Sequence, residues 1–368
     1  MIRKGERILI RILHFCSDSN IGGAGVCLLR LLSASDKDKF ENYAVIPQNS
    51  LLKDRFLSSG VNVILYYSSP DRSFSVSQIK EFIKLIQKLN PHIVHTHGSF
   101  SARIAAKLAN VRSRIYTRHT YCEKKYSYPF RFLNRAVTTK AVAVNAALVP
   151  QLKDSGIKED NILVIENACE RISVDGPCKN NENEDSWSLL FLGRIVKGKG
   201  LDTAIKAIKK LNCSKYSVTL TVAGEGDYKD EMVSLAKRIG VSDYVRFLPF
   251  QNDITQCIYD CDIAINCSYR DEATSNFVIE AMSASKPVLL SNVGGNLHII
   301  DDGVEGMFFL PGNVDSFCVA LKRMISDRKV YLHLSENAEK KYLARFTLER
   351  MITSYQKLWT EEYDRYYK

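Results

Sequence analysis

Four side chains in the second half of this 368-residue chain are of types that could do chemistry together: Arg194, Lys199, Glu272 and Glu280. Arg194 offers phosphate oxygens a planar fork, and Lys199 offers a mobile point charge. Seven residues separate the two glutamates. Read as one continuous helix, that spacing sets them about 12 Å apart along the axis. The paired acids of a retaining glycosidase need about 5 Å, so these two fit separate points on one extended ligand, with phosphates between them. Thr274 and Ser275 can cap the helix that carries Glu280. The free N–H groups at its start, Ser275, Asn276 and Phe277, then present the positive end of the helix dipole, where a phosphate fits.

The elements that must hold these groups follow from the pattern around them. Residues 262–266 are an apolar run short enough for a buried strand, and 267–273 are a polar loop. Phe277, Val278, Ala281 and Met282 then recur at helical spacing within 274–284. A second strand at 287–290 is broken by Gly294 and Gly295. Strand, loop, helix, strand is a parallel α/β crossover, and the loop before the helix is where such sheets bind ligands. Upstream, a strand at 189–192 runs into Gly193-Arg194, with Lys199-Gly200 a short turn later and a helix over 201–211.

The first half repeats the theme. A strand over 7–15 leads into a loop ending Gly22-Gly23-Ala24-Gly25 and an apolar helix through Leu31. Missing Cβ atoms let a ligand approach such a turn, although GGAG does not fit the dinucleotide fingerprint GxGxxG. Further strand and helix patterns alternate to residue 165, which implies a parallel sheet with helices on both faces. The polar stretch 169–186, with Gly176, Pro177 and the run KNNENEDS, reads as a linker.

Composition sets outer limits. Hydrophobic content of 45% and charged content of 25% belong to a globular chain long enough for two domains. No run approaches the roughly 18 to 20 apolar residues of a membrane span. The basic, then apolar N-terminus is interrupted by Arg11 and reads as a first strand rather than a signal peptide. Ten cysteines without a CxxC pair, many inside apolar runs, favour a reducing, cytoplasmic compartment over a disulfide scaffold or zinc site. A formal net charge of +10 suits anionic partners, yet no nucleic-acid module or basic arm is present.

Glu272 and Glu280 with their seven-residue spacing, Ala281-Met282, Pro287-Val288 and Val293-Gly294-Gly295 resemble the signature of family-four retaining glycosyltransferases of the GT-B fold (glycosyl transferases group 1). The resemblance spans nearly the whole chain and is most specific between residues 190 and 300. It implies two Rossmann-like domains with parallel sheets facing an interdomain cleft: residues 1–168, linker 169–186, residues 187–346, and a C-terminal helix over 347–368 crossing back to the first domain. It implies transfer of a sugar from a nucleotide-diphosphate donor, with Arg194 and Lys199 on the diphosphate, where two cations would stabilise charge on the leaving group. Ser275, Asn276 and Phe277 assist, Gly22 and Gly23 close over the phosphates, Glu280 holds the ribose and Glu272 lies by the donor sugar. No cofactor is implied and no metal is required. Where many members carry a Gly-Phe-Gly-like run after the first glutamate, this chain has Ala273-Thr274-Ser275.

Histidines 92, 95, 97 and 119 invite a metal reading, but supporting Asp, Glu or Cys ligands are not nearby in sequence. The resemblance instead makes His95 a packing residue, sets His97 at the cleft edge and gives His119 a contact to donor sugar or acceptor, against a plain structural histidine. The segment 121–137 mixes Lys124, Lys125, Arg131 and Arg135 with Tyr126, Tyr128, Phe130 and Phe132. Such a helix could lie on an anionic membrane, or pack its aromatics inward. The expected acceptor is a glycan or lipid-linked glycan in surface polysaccharide assembly, at the inner face of the plasma membrane. Alternatives are a nucleotide-sugar epimerase on the same fold and a catalytically idle nucleotide-sugar-binding subunit.

Overall fold

Strands buried on both faces read as unbroken apolar runs, and the runs of this sequence become two parallel sheets. A computed structural model describes residues 9–17, 22–67, 74–121, 126–173, 186–212, 217–270 and 272–368. The chain forms two compact units, Met1–Ala168 with Leu348–Lys368, and Cys169–Thr347. Most of the expected linker, 174–185, lies outside the described residues; Cys169, at its start, is buried in the second unit.

The first unit holds β1 (Ile10–Cys16), β2 (Phe40–Pro47), β3 (Asn62–Tyr66), β4 (Ile93–His97), β5 (Ser113–Arg118), β6 (Lys140–Ala143) and β7 (Ile162–Val164). All pair in parallel, in the order β3-β2-β1-β4-β5-β6-β7. Alternate residues point to opposite faces: Ile12, Ala44, Ile93 and Ile115 join one core, Leu13, Phe15, Val45 and Val94 the other. The C-terminal helix Leu348–Tyr367 covers the first of these faces with Met351, Tyr355, Leu358 and the fully buried Trp359.

The second unit holds β8 (Ser186–Leu192), β9 (Ser217–Ala223), β10 (Val245–Leu248), β11 (Ile263–Asn266), β12 (Val288–Ser291) and β13 (Gly306–Phe309), again all parallel. Their order, β10-β9-β8-β11-β12-β13, is that of a dinucleotide-binding Rossmann sheet. Leu189, Leu220 and Ile265 face one core, and Leu190, Ala264 and Val288 the other.

The structure divides the aromatics of the 121–137 segment between the two sequence alternatives: Phe130 packs against Phe100 and Tyr126 stacks on Phe130, while Tyr128 and Phe132 face outward. On the helix Tyr128–Val137, Tyr128 is 81% exposed and Phe132 70%, with Arg131 and Arg135 also exposed. The inward side is also anchored by polarity: Asn134 donates to Ser155 O at 2.9 Å and accepts from Arg103 at 2.6 Å. Lys124 and Lys125 lie outside the described residues. The seven described cysteines are free thiols, six of them buried.

Candidate functional site

In the second unit the strand order reverses between β8 and β11, which pair directly (Ile263 beside Leu189, Ala264 beside Leu190). Loops leaving the carboxyl ends of strands at such a switch point form the ligand crevice of open α/β sheets. Here they are residues 193–200 after β8 and 267–275 after β11, which carry Arg194, Lys199, Glu272 and Ser275.

These loops are fastened to one another through backbone contacts. Lys197–Lys199 form a single 3₁₀ turn closed by Gly200 in the left-handed region at φ +64°. Tyr269 N donates to Gly198 O at 2.9 Å, and a Cβ on Gly200 would stand 2.0 Å from Cys267 O. On the far side, Gly295 N donates to Glu272 O at 2.8 Å, and a Cβ there would lie 1.4 Å from Ala273 O. The glycines that break the sequence pattern therefore clamp the Glu272 loop from both sides.

The clamped loop holds Glu272 in a specific way. Lys199 Nζ at 2.7 Å, Ser268 Oγ at 2.6 Å and Asn266 Nδ2 at 3.2 Å all donate to Oε2. No described group donates to Oε1. Burial alone would push this carboxyl up, but the Lys199 charge and the three hydrogen bonds outweigh it and hold the group below the usual carboxylate range. Glu272 is thus a fixed carboxylate with one oxygen spent and one available, suited to accept hydroxyl hydrogens and unsuited to donate a proton. Ser268 N also bonds to Asn266 Oδ1 at 3.1 Å, so Asn266 orients both the loop and the carboxylate.

Arg194 is exposed, and its guanidinium makes no hydrogen bond or ion pair with any described residue. Lys199 differs, its ammonium being engaged by Glu272. The helix runs Asn276–Ser283, later than the 274–284 expected. Ser275 occupies the N-cap position, but its side chain accepts none of the first N–H groups, so the capping role expected of it is not observed. Glu272 lies ahead of this helix, so the axial spacing read for the two glutamates does not apply; Glu280 is buried on its second turn.

The first unit has its own reversal between β1 and β4, with Cys16 beside His97. Gly22 is the N-cap of the helix Gly23–Ser33, with extended backbone and no capping side chain. On the sheet face behind it four imidazoles adjoin: ring centroids are 5.2 Å apart for His14–His95, 4.4 Å for His95–His97 and 5.3 Å for His97–His119. Burial drives all four down, His14 to about 3 and His119 to about 4. His14, His95 and His97 each bring a ring nitrogen within 4.8 Å of the others. Both nitrogens of His95 are in use, however, Nδ1 accepting from Trp359 Nε1 at 3.3 Å and Nε2 meeting Thr117 Oγ1 at 2.7 Å. That leaves fewer donors than the three or four protein ligands zinc takes. His119 Nε2 meets His97 Nδ1 at 3.0 Å, while His119 Nδ1 is buried without a hydrogen-bond partner among the described residues, beside a cavity of about 10 Å³ lined also by Cys27, Asn167 and Tyr355.

Sequence reasoning brought Lys199 and Glu272 to one place and missed their direct pairing. It also missed Asn266 and Ser268, although a polar residue closing the apolar run DIAIN was a visible signal. His14, spaced far from the other histidines, became visible only through the β1–β4 register.

Two Rossmann-like units, one with a guanidinium that has no partner among the described residues and an ion-paired carboxylate at its switch point, define a GT-B protein. Residues 177–341 match the model for glycosyl transferases group 1 and residues 21–170 that for glycosyltransferase family 4. Together these take in most of the chain, which belongs to this glycosyltransferase family. An uncharacterized glycosyltransferase of Methanocaldococcus jannaschii is 31% identical over 46% of this chain and 43% of its own length. The Escherichia coli UDP-Gal:alpha-D-GlcNAc-diphosphoundecaprenol alpha-1,3-galactosyltransferase is 23% identical over 93% of this chain and 97% of its own. Anabaena HepE, solved in complex with UDP and glucose, superposes with a TM-score of 0.82 at 19% identity, over 96% of this chain and all of that one.

Proposed function

We propose that this protein transfers a sugar from a nucleoside-diphosphate donor to a glycan or lipid-linked acceptor, with retention at the anomeric carbon. Arg194 and Lys199 grip the diphosphate, aided by the backbone at Ser275, Asn276 and Phe277 at the helix start. Glu280 holds the ribose hydroxyls, and Glu272 receives sugar hydroxyls on Oε1. The observation that carries this reading is the convergence of three donors on Glu272 Oε2 at the switch point whose other loop carries Arg194. A cationic, hydroxyl-accepting site at a Rossmann switch point fits the pyrophosphate and sugar of one extended ligand. Fixed cations and a helix dipole supply the charge that a metal would otherwise bring, so no metal is required.

Two relatives support the donor class: the E. coli relative's name specifies UDP-Gal, and the Anabaena protein was solved with UDP and glucose. The same E. coli name specifies a diphosphoundecaprenol acceptor. That chemistry fits the exposed Tyr128, Phe132, Arg131 and Arg135, an aromatic and basic helix face suited to an anionic lipid surface. No described helix is long and apolar enough to cross a membrane, so the proposed attachment is peripheral, at the inner face of the plasma membrane, in surface polysaccharide assembly.

The test is a thermal-shift panel of nucleoside diphosphates and nucleotide sugars without acceptor, followed by product analysis. At least one nucleotide should raise Tm, and that donor incubated alone should stay unchanged, whereas an epimerase would convert it. No shift from any nucleotide would overturn the reading.

A further inference from the structure

Glu272 and Lys199 are direct partners at 2.7 Å, with Glu272 7% and Lys199 30% exposed in their side chains. Building on the donor reading above, we infer that Glu272 is a specificity residue which keeps Lys199 occupied until a donor sugar arrives, so that the site distinguishes an intact nucleotide sugar from the bare nucleoside diphosphate.

A diphosphate bound beside Lys199 competes with Glu272 for the same ammonium. If Lys199 turns to the phosphate, the carboxylate keeps Ser268 and Asn266 but loses its adjacent countercharge. A nearly enclosed carboxylate stripped of its countercharge is strongly disfavoured. The hydroxyls of a donor sugar can offset that loss by donating to Oε1, which no described group uses. A bare nucleoside diphosphate brings no such hydroxyl. It must leave Lys199 where it is or strand Glu272. Arg194, without an acidic partner among the described residues, serves either ligand equally. The ion pair thus favours the intact donor over its own leaving group and promotes departure of the spent diphosphate.

Calorimetry on the full chain tests this with UDP, GDP and ADP, each beside its glucose conjugate. For the pair that binds, Glu272→Gln should tighten the bare diphosphate by about tenfold, the scale of one charge-assisted hydrogen bond. It should leave the glucose conjugate unchanged or weaker. On a Lys199→Gln background the gain should vanish, because the freed ammonium is its cause. If Glu272→Gln binds the bare diphosphate no tighter, or if the gain persists without Lys199, the exchange is refuted while the donor reading stands. If no pair binds the unmodified protein, both fail. Thermal unfolding of each variant shows that the fold is retained; should Glu272→Gln not fold, Glu272→Ala carries the same expectation for the bare diphosphate.

Discussion

The buried imidazoles of the first unit make its stability depend on pH in a calculable way. His14 is held down to about 3 and His119 to about 4, and His95 and His97 also lie well below the ordinary 6.5. The unfolded chain binds these protons near pH 6.5 and the folded chain does not. Their contribution is therefore fully present above about pH 6.5 and is lost as pH falls toward the folded values. At pH 5 His14 and His119 have each given up about 2 kcal/mol, being about 1.5 pH units at 1.36 kcal/mol each. The two together reach about 4 kcal/mol, a large share of the whole stability of a typical domain, and His95 and His97 add to the loss in the same direction. Hydrogen exchange read by mass spectrometry at pH 7.5 and pH 5 separates the units. Protection over β1, β4 and β5 should fall steeply while that over β8 and β11 changes little. His14→Leu should reduce the pH dependence of the first unit. Equal protection of β1, β4 and β5 at both pH values would refute the buried, neutral imidazoles.

Two further outcomes concern the second unit. Glu280→Gln should weaken nucleotide binding chiefly, with the fold intact; unchanged affinity by calorimetry would remove Glu280 from the ribose. Gly295→Ala places a Cβ 1.4 Å from Ala273 O, so the Glu272 loop must move. Overpacking of this kind costs about 1–3 kcal/mol, and both a lower Tm and reduced turnover are expected, whereas an unaltered Tm would show that the clamp yields freely.

Much of the fold was legible because parallel strands buried on both faces announce themselves as short apolar runs between glycine turns, as at 189–192 and 288–291. Gly295 and Gly200 were visible as pattern breaks, but their purpose is a close approach to the carbonyls of residues 273 and 267, which only the fold reveals. The seven-residue spacing of the glutamates was read as helical rise, yet only Glu280 is helical, because the loop bonded to Gly295 delays the helix to Asn276. The Lys199–Glu272 pair joins residues 73 apart in sequence, beyond any periodicity argument. The exposure of Tyr128 and Phe132 was equally out of reach, because the buried side of their helix is held by Asn134 and by Phe130 alone of its aromatics.

The grip of Arg194 on a diphosphate is tested most directly by turnover of Arg194→Ala on the donor that raises Tm most. Loss of a preorganised donor to a charged transition state lowers turnover by about two orders of magnitude or more, and that fall is the predicted result, with thermal unfolding unchanged. Near-normal turnover by this variant would contradict it.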